Sequence, residues 1–179
     1  MGGRFRWLLA SSFVSNLGDG IGLAAGPLLV ASLTDRPSLV ALATLLQQLP
    51  WLLFGLHAGV LADRADRRTL VVAVNLVRAA VLAALAGTIV TDTINVPIVL
   101  VAMFVLGTAE TFADTTTRTL LPMLVDKRDL AIGNARLVFA NTTVNRMAGP
   151  PIGAFLFTVG VAVPFVSQAV CVAAGALLV

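Results

Sequence analysis

Apolar residues run along this chain in six long blocks, each closed by a short polar or turn-forming stretch. The blocks cover approximately Trp7–Leu33, Leu39–Ala62, Leu70–Val90, Val96–Leu120, Ile132–Val159 and Val161–Val179. Each holds roughly the 20 mainly apolar residues that a helix needs to cross the hydrocarbon core of a bilayer. Thr34 to Pro37, Asp63 to Arg68, Thr91 to Thr93 and Asp126 to Asp129 separate the first five blocks. The fifth and sixth are divided only weakly, at Thr158 to Gly160, and that boundary can move by several residues. No period-2 alternation of polar and apolar residues appears, which argues against a transmembrane β-barrel. The pattern predicts an all-α integral membrane protein of six transmembrane helices.

Composition agrees with the pattern. Hydrophobic residues make up 58% of the 179 and charged residues only 12%, against about a quarter charged in soluble domains. A buried soluble core does not explain this, because a chain of this length keeps too much surface in water. The net charge of +3 raises the question of nucleic acid. Placement answers it: the twelve Lys+Arg residues are scattered through and between apolar runs, with no Tyr and no basic face. Cys171 is the one cysteine and His57 the one histidine. An intrachain disulfide and a thiolate metal cluster are therefore excluded. No phosphate loop or nucleophile–base arrangement is present either. The expectation is a protein that is not an enzyme and needs no cofactor or metal.

The basic residues also orient the chain. Arg4 and Arg6 ahead of Trp7–Val14 resemble the start of a secretory signal, but the apolar run continues well past a short h-region, which fits a signal anchor better. With the N-terminus in the cytoplasm, the inner segments carry Arg4, Arg6, Arg64, Arg67, Arg68, Lys127 and Arg128, and the outer ones only Arg36. Cytoplasmic loops are enriched in Lys and Arg, so seven against one places both ends inside. The expected location is the cell inner (plasma) membrane.

Several ionisable residues fall inside the apolar blocks, where an unpaired charge costs several kcal/mol and marks a functional candidate. Asp19 lies midway along the first block, near Asn16; Arg78 lies in the third and Arg146 in the fifth. Glu110, Asp114 and Arg118 follow one another at i, i+4 spacing in the fourth, so they share a helix face and Asp114 can pair with Arg118. Arg118 is also close enough to the cytoplasmic end to snorkel. Two small-xxx-small patterns, Gly55/Gly59 and Gly149/Gly153, occupy corresponding places in a three-plus-three division of the blocks. Inverted three-helix repeats build many transporter halves; equally, Gly is simply common where membrane helices touch.

The stretch from Gly59 through Asp63, Arg64, Asp66, Arg67 and Arg68 resembles the signature between helices 2 and 3 of the major facilitator superfamily, G-x-L-A-D-R-x-G-R-R. Asp66 stands where the common pattern has Gly, and a left-handed backbone there would suit Asp better than most residues. This variant, with Pro50 to Phe54, Leu121 to Val125, Leu130, Asn134 and Ala135, resembles the actinobacterial drug-efflux and enterobactin-exporter-like branch. Gly149, Pro150 and Gly153 match the core G-P-x-x-G of the span-5 motif associated with proton-coupled antiporters. The superfamily's usual span-4 R-x-x-x-G arrangement is absent, so that arginine's role is not carried over to Arg118.

The resemblance implies the N-terminal six-helix bundle of a twelve-helix transporter, with a C-terminal six-helix half expected as its partner. It implies that Asp63 and Arg64, supported by Arg67 and Arg68, form a latch between halves. It implies a central cavity lined by spans 1 and 4, which makes Asp19 and Glu110 the first candidates for a proton-coupling carboxylate, with Asp114, Arg78 and Arg146 around them. A carboxyl that alternates between an apolar setting and an arginine would bind and release a proton. A static charge network that fixes helix packing explains the same residues equally well. The expected partners are the lipid bilayer, a small-molecule cargo and protons, with Met103, Phe104, Phe112 and Phe139 available to face an apolar cargo or lipid. The alternatives are a non-transporting six-helix regulator or assembly protein, and a channel.

Overall fold

The computed structural model describes residues 3–178; the Val179 end of the sixth expected span and the Arg4 side chain lie outside what is described. Among the described residues the chain is all helical. The helices are α1 (Gly3–Leu33), α2 (Pro37–Arg64), α3 (Arg67–Val90), α4 (Val96–Leu124), α5 (Leu130–Ala140), α6 (Gly149–Val159) and α7 (Val163–Leu178). A π-helical segment, Asn141–Ala148, joins α5 to α6, so 130–159 is one continuous rod. A short 3₁₀ turn, Lys127–Asp129, precedes it. Helices α1 to α4 are each long and apolar enough to cross a membrane.

The helices overrun the apolar blocks by a few residues at several ends, because caps rather than hydropathy set where a helix stops. Pro37 opens α2 with its φ already suited to the first turn. Asp66 and Asn95 cap α3 and α4, accepting from the backbone N–H of Thr69 (3.1 Å) and Ile98 (3.0 Å). The last break falls at 160–162, slightly later than Thr158: its hydroxyl donates to the Phe155 carbonyl (2.7 Å) and the residue stays helical.

Neighbours in space are not always neighbours in sequence. α2 packs along α4, α1 along α6 and α7, and α3 along α4 and α7. Two apolar cores result. One gathers Ala25, Leu29, Leu82, Met103, Leu106 and Phe165, and the other, toward the opposite end of α1 and α4, holds Phe5, Leu121 and Leu137. Between them lies a buried polar layer that includes Asn16, Asp19, Asn75, Arg78, Thr111, Thr116, Asn145 and Gln168. The α4 threonines satisfy themselves: Thr108, Thr111, Thr116 and Thr117 each return the hydroxyl to the carbonyl four residues earlier. Outward-facing residues such as Leu52 (84% exposed), Leu56 (88%) and Leu177 (87%) would be intolerable together in water and are ordinary against lipid.

The two glycine patterns differ in what they meet. Gly149 crosses α1 at Gly20, where a Cβ on Gly20 would lie 2.8 Å from the Gly149 Cα. Gly153 sits on the Ile21 backbone, where a Cβ would lie 3.0 Å from the carbonyl carbon. Around Gly55 and Gly59 a Cβ would meet nothing within 4 Å. The three-plus-three likeness therefore does not extend to helix contacts, since α2 turns that face away from the other described helices.

Candidate functional site

Pro150 and Pro151 have no N–H for the carbonyls of residues 146 and 147, and their rings crowd the preceding turn. The rod widens just before them: Gly149 N–H reaches back five residues to the Val144 carbonyl. π segments inside membrane helices frequently sit at functional sites. Here the wider turn brings Asn141, Asn145 and Arg146 onto one cleft. Asn141 Nδ2 donates to Asn16 Oδ1 on α1 at 2.7 Å, and Asn145 Nδ2 reaches the same oxygen at 3.4 Å. Asn16 in turn donates to the Ser12 carbonyl at 2.7 Å, which fixes its amide orientation.

The cleft has two lobes, of about 350 and 590 Å³, which share Asp114, Arg118 and Asn141. Ser12, Asn16, Thr117 and Asn134 complete the polar wall of the smaller lobe. Glu110, Asn145 and Arg146 line the larger, opposite Gln48 and Trp51 of α2. Glu110 is half-buried and within electrostatic reach of Arg78, Asp114 and Arg146.

Asp19 lies elsewhere. It does not line the cleft; its carboxylate accepts from Arg78 Nη2 in a buried ion pair between α1 and α3. Arg78 also donates to Asn75 Oδ1 at 3.1 Å. Its charge is felt by Glu110 and Asp114 as well, so it stands between the ion pair and the cleft.

Asp114 and Arg118 share a helix face, yet among the described residues they form no ion pair within 4.0 Å. Arg118 reaches toward α2 instead. Its guanidinium lies over the Trp51 ring, 5.8 Å from the centroid, because α2 packs along α4 and offers a π face that attracts a cation. Of Met103, Phe104, Phe112 and Phe139, the apolar residues available to face a cargo or lipid, none lines the cleft. Phe104 packs edge-on against Phe54 on an apolar outer furrow, Met103 is buried in the core, and Phe139 is 63% exposed. The cleft is polar.

At the α2–α3 turn, Asp63, Arg64 and Arg68 are exposed. Asp66 is extended (φ −65°, ψ 110°), not left-handed, because its side chain caps α3. The Thr69 hydroxyl and N–H hold its carboxyl below the usual carboxylate range. Arg67 does most of the linking: Nε donates to the Ala62 carbonyl (3.2 Å), Nη1 contacts Met123 Sδ on α4 (2.6 Å), and Nη2 stands 3.7 Å from Asp63. Sequence reasoning missed Trp51, Gln48 and the amides Asn141 and Asn145. The available signal was an amide pair at i, i+4 spacing inside an apolar block.

No curated protein matches the chain. The family model described as transmembrane secretion effector matches residues 2–178. Six helical rods, lipid-suited outer faces and the Gly59–Arg68 turn agree with that match, and the chain belongs to this family of the major facilitator superfamily, as a multi-pass membrane transport protein.

Proposed function

We propose that the bundle serves a proton-coupled exporter of a small organic molecule, working by alternating access in the inner (plasma) membrane with the N-terminus in the cytoplasm. The observation that carries this reading is Glu110, half-buried in a polar cleft between α2, α4 and the π segment and facing arginines on two sides. A carboxyl so placed can exchange an arginine partner for a proton as the cleft changes its surroundings. Asp19, already engaged by Arg78 away from the cleft, ties α1 to α3. The seven-to-one bias of basic residues supports the orientation. The exposed Asp63, Arg64 and Arg68 form the surface that engages a second six-helix bundle, and rocking of the two bundles moves the cleft from one side to the other.

Reconstitution in liposomes tests the reading. With a second six-helix bundle co-reconstituted, flux driven by a pH gradient should occur with the wild type and be lost in Glu110→Gln, while Asp19→Asn should act through stability. Gradient-driven flux that persists in Glu110→Gln would remove Glu110 from the coupling role. Conductance independent of any gradient would replace the transporter with a channel.

A further inference from the structure

The charges around the cleft restrict what it can hold. Glu110 and Asp114 supply two carboxylates, and Arg118 and Arg146 two guanidinium groups, so the lining has no net formal charge. Among the described residues, none of these four forms an ion pair within 4.0 Å with another. Glu110 and Asp114 are half-buried while Arg118 and Arg146 open onto the cleft, and none of the four is neutralised by another at contact distance, so a ligand or water is left to meet their charge. A purely cationic guest would satisfy the carboxylates and bring a like charge to the arginines. An anionic guest would do the reverse, and an apolar one would leave the two carboxylates and Arg146 without an opposite charge.

Resting on the transport reading above, the geometry points to a dipolar cargo, with a cationic group on the Glu110–Asp114 side and an anionic group against Arg146 or Arg118. Asp114 and Arg118 lie four residues apart on one helix, so the two poles of the cargo are about 6 Å apart along it. Gln48, Asn141 and Asn145 give donors and acceptors for the body of such a molecule, and Trp51 forms a flat wall beside it. The larger lobe, about 590 Å³, is of the size that holds small organic ligands.

The test uses the dipeptide phenylalanyl-alanine, whose charged termini stand roughly 7 Å apart at full extension. It is compared with its N-acetyl, C-amide and doubly blocked forms. Binding is read from Trp51 emission in nanodiscs without a pH gradient, on a Trp7→Phe background that leaves Trp51 as the single tryptophan. The free dipeptide should bind roughly tenfold or more tightly than each blocked form, because a blocked terminus leaves a charge of the cleft unmet. Glu110→Gln should weaken the free and C-amide forms and spare the N-acetyl form; Arg146→Gln should weaken the free and N-acetyl forms and spare the C-amide form. Opposite selectivity changes of this kind do not arise from misfolding. Equal binding of all four forms, preference for a blocked form, or no binding overturns the dipolar cargo. Gradient-driven flux of another molecule would still leave the transport reading standing, whereas dipeptide binding without coupled flux would remove proton coupling alone.

Discussion

Arg78 on α3 reaches across to Asp19 on α1 and forms an ion pair whose two side chains are each 2% exposed. These helices do not pack extensively side by side, so the pair ties elements that apolar contact leaves largely unjoined. Removing one partner of a buried pair leaves an uncompensated charge and costs about 3–5 kcal/mol, whereas replacing both with apolar groups is often neutral. Asp19→Asn and Arg78→Gln should each lower the unfolding midpoint sharply in detergent, and the double variant Asp19→Leu/Arg78→Met should recover most of the loss. Single variants as stable as wild type, with transport abolished, would return Asp19 to the list of coupling groups.

The Gly20–Gly149 crossing gives a second expectation. A methyl on either residue has no flexible neighbour to displace, only backbone, and overpacking of this kind costs about 1–3 kcal/mol. Gly149→Ala should therefore destabilise the bundle. Gly87 on α3 offers open space to a Cβ, so Gly87→Ala should be neutral or stabilising by up to about 1 kcal/mol. Thermal unfolding followed by helical circular dichroism distinguishes the two, and equal effects would remove the close crossing.

Helix number and placement were legible in the sequence because hydropathy over a bilayer's width is a long-range average that no single contact alters. Asp19, Arg78, Glu110 and Asp114 were legible as a set for the same reason, since charge in an apolar run is conspicuous. Their sorting was not legible. Whether Asp19 faces the cleft depends on how α1 is rotated, and the Arg78 partner 59 residues further on draws its carboxylate toward α3. The polar character of the cleft was hidden similarly. Phe104 and Phe139 lie on faces that packing turns outward, and Asn141 and Asn145 come onto the cleft along a π segment whose width no residue-by-residue pattern announces.

That segment is open to direct test. Pro150→Ala returns a donor to the carbonyl at residue 146 and relieves the ring clash, so the rod should relax toward α-helix over 141–148. Relaxation rotates the residues on one side of the segment relative to those on the other. The Asn141–Asn16 hydrogen bond, 2.7 Å here, should break, and amide exchange across the segment should slow as the regular ladder forms. Unchanged exchange would mean that helix contacts with α1, not the prolines, hold the wide turn.

Asp66 carries the pH prediction. Its carboxyl accepts from the Thr69 hydroxyl and N–H, which hold it below the usual carboxylate range. The folded chain thus binds fewer protons at this site than the unfolded chain, and the cap stabilises α3 at any pH above the ordinary aspartate value of about 4. The contribution is lost as pH falls through the lowered folded value. Protection of the Thr69 amide from exchange should be flat from neutral pH down to about 4 and should fall below it. Asp66→Ala should lose the protection at every pH. Asp66→Asn should keep much of it without the acid dependence, because Asn caps nearly as well and does not titrate. An acid dependence that survives in Asp66→Asn would remove Asp66 as its source.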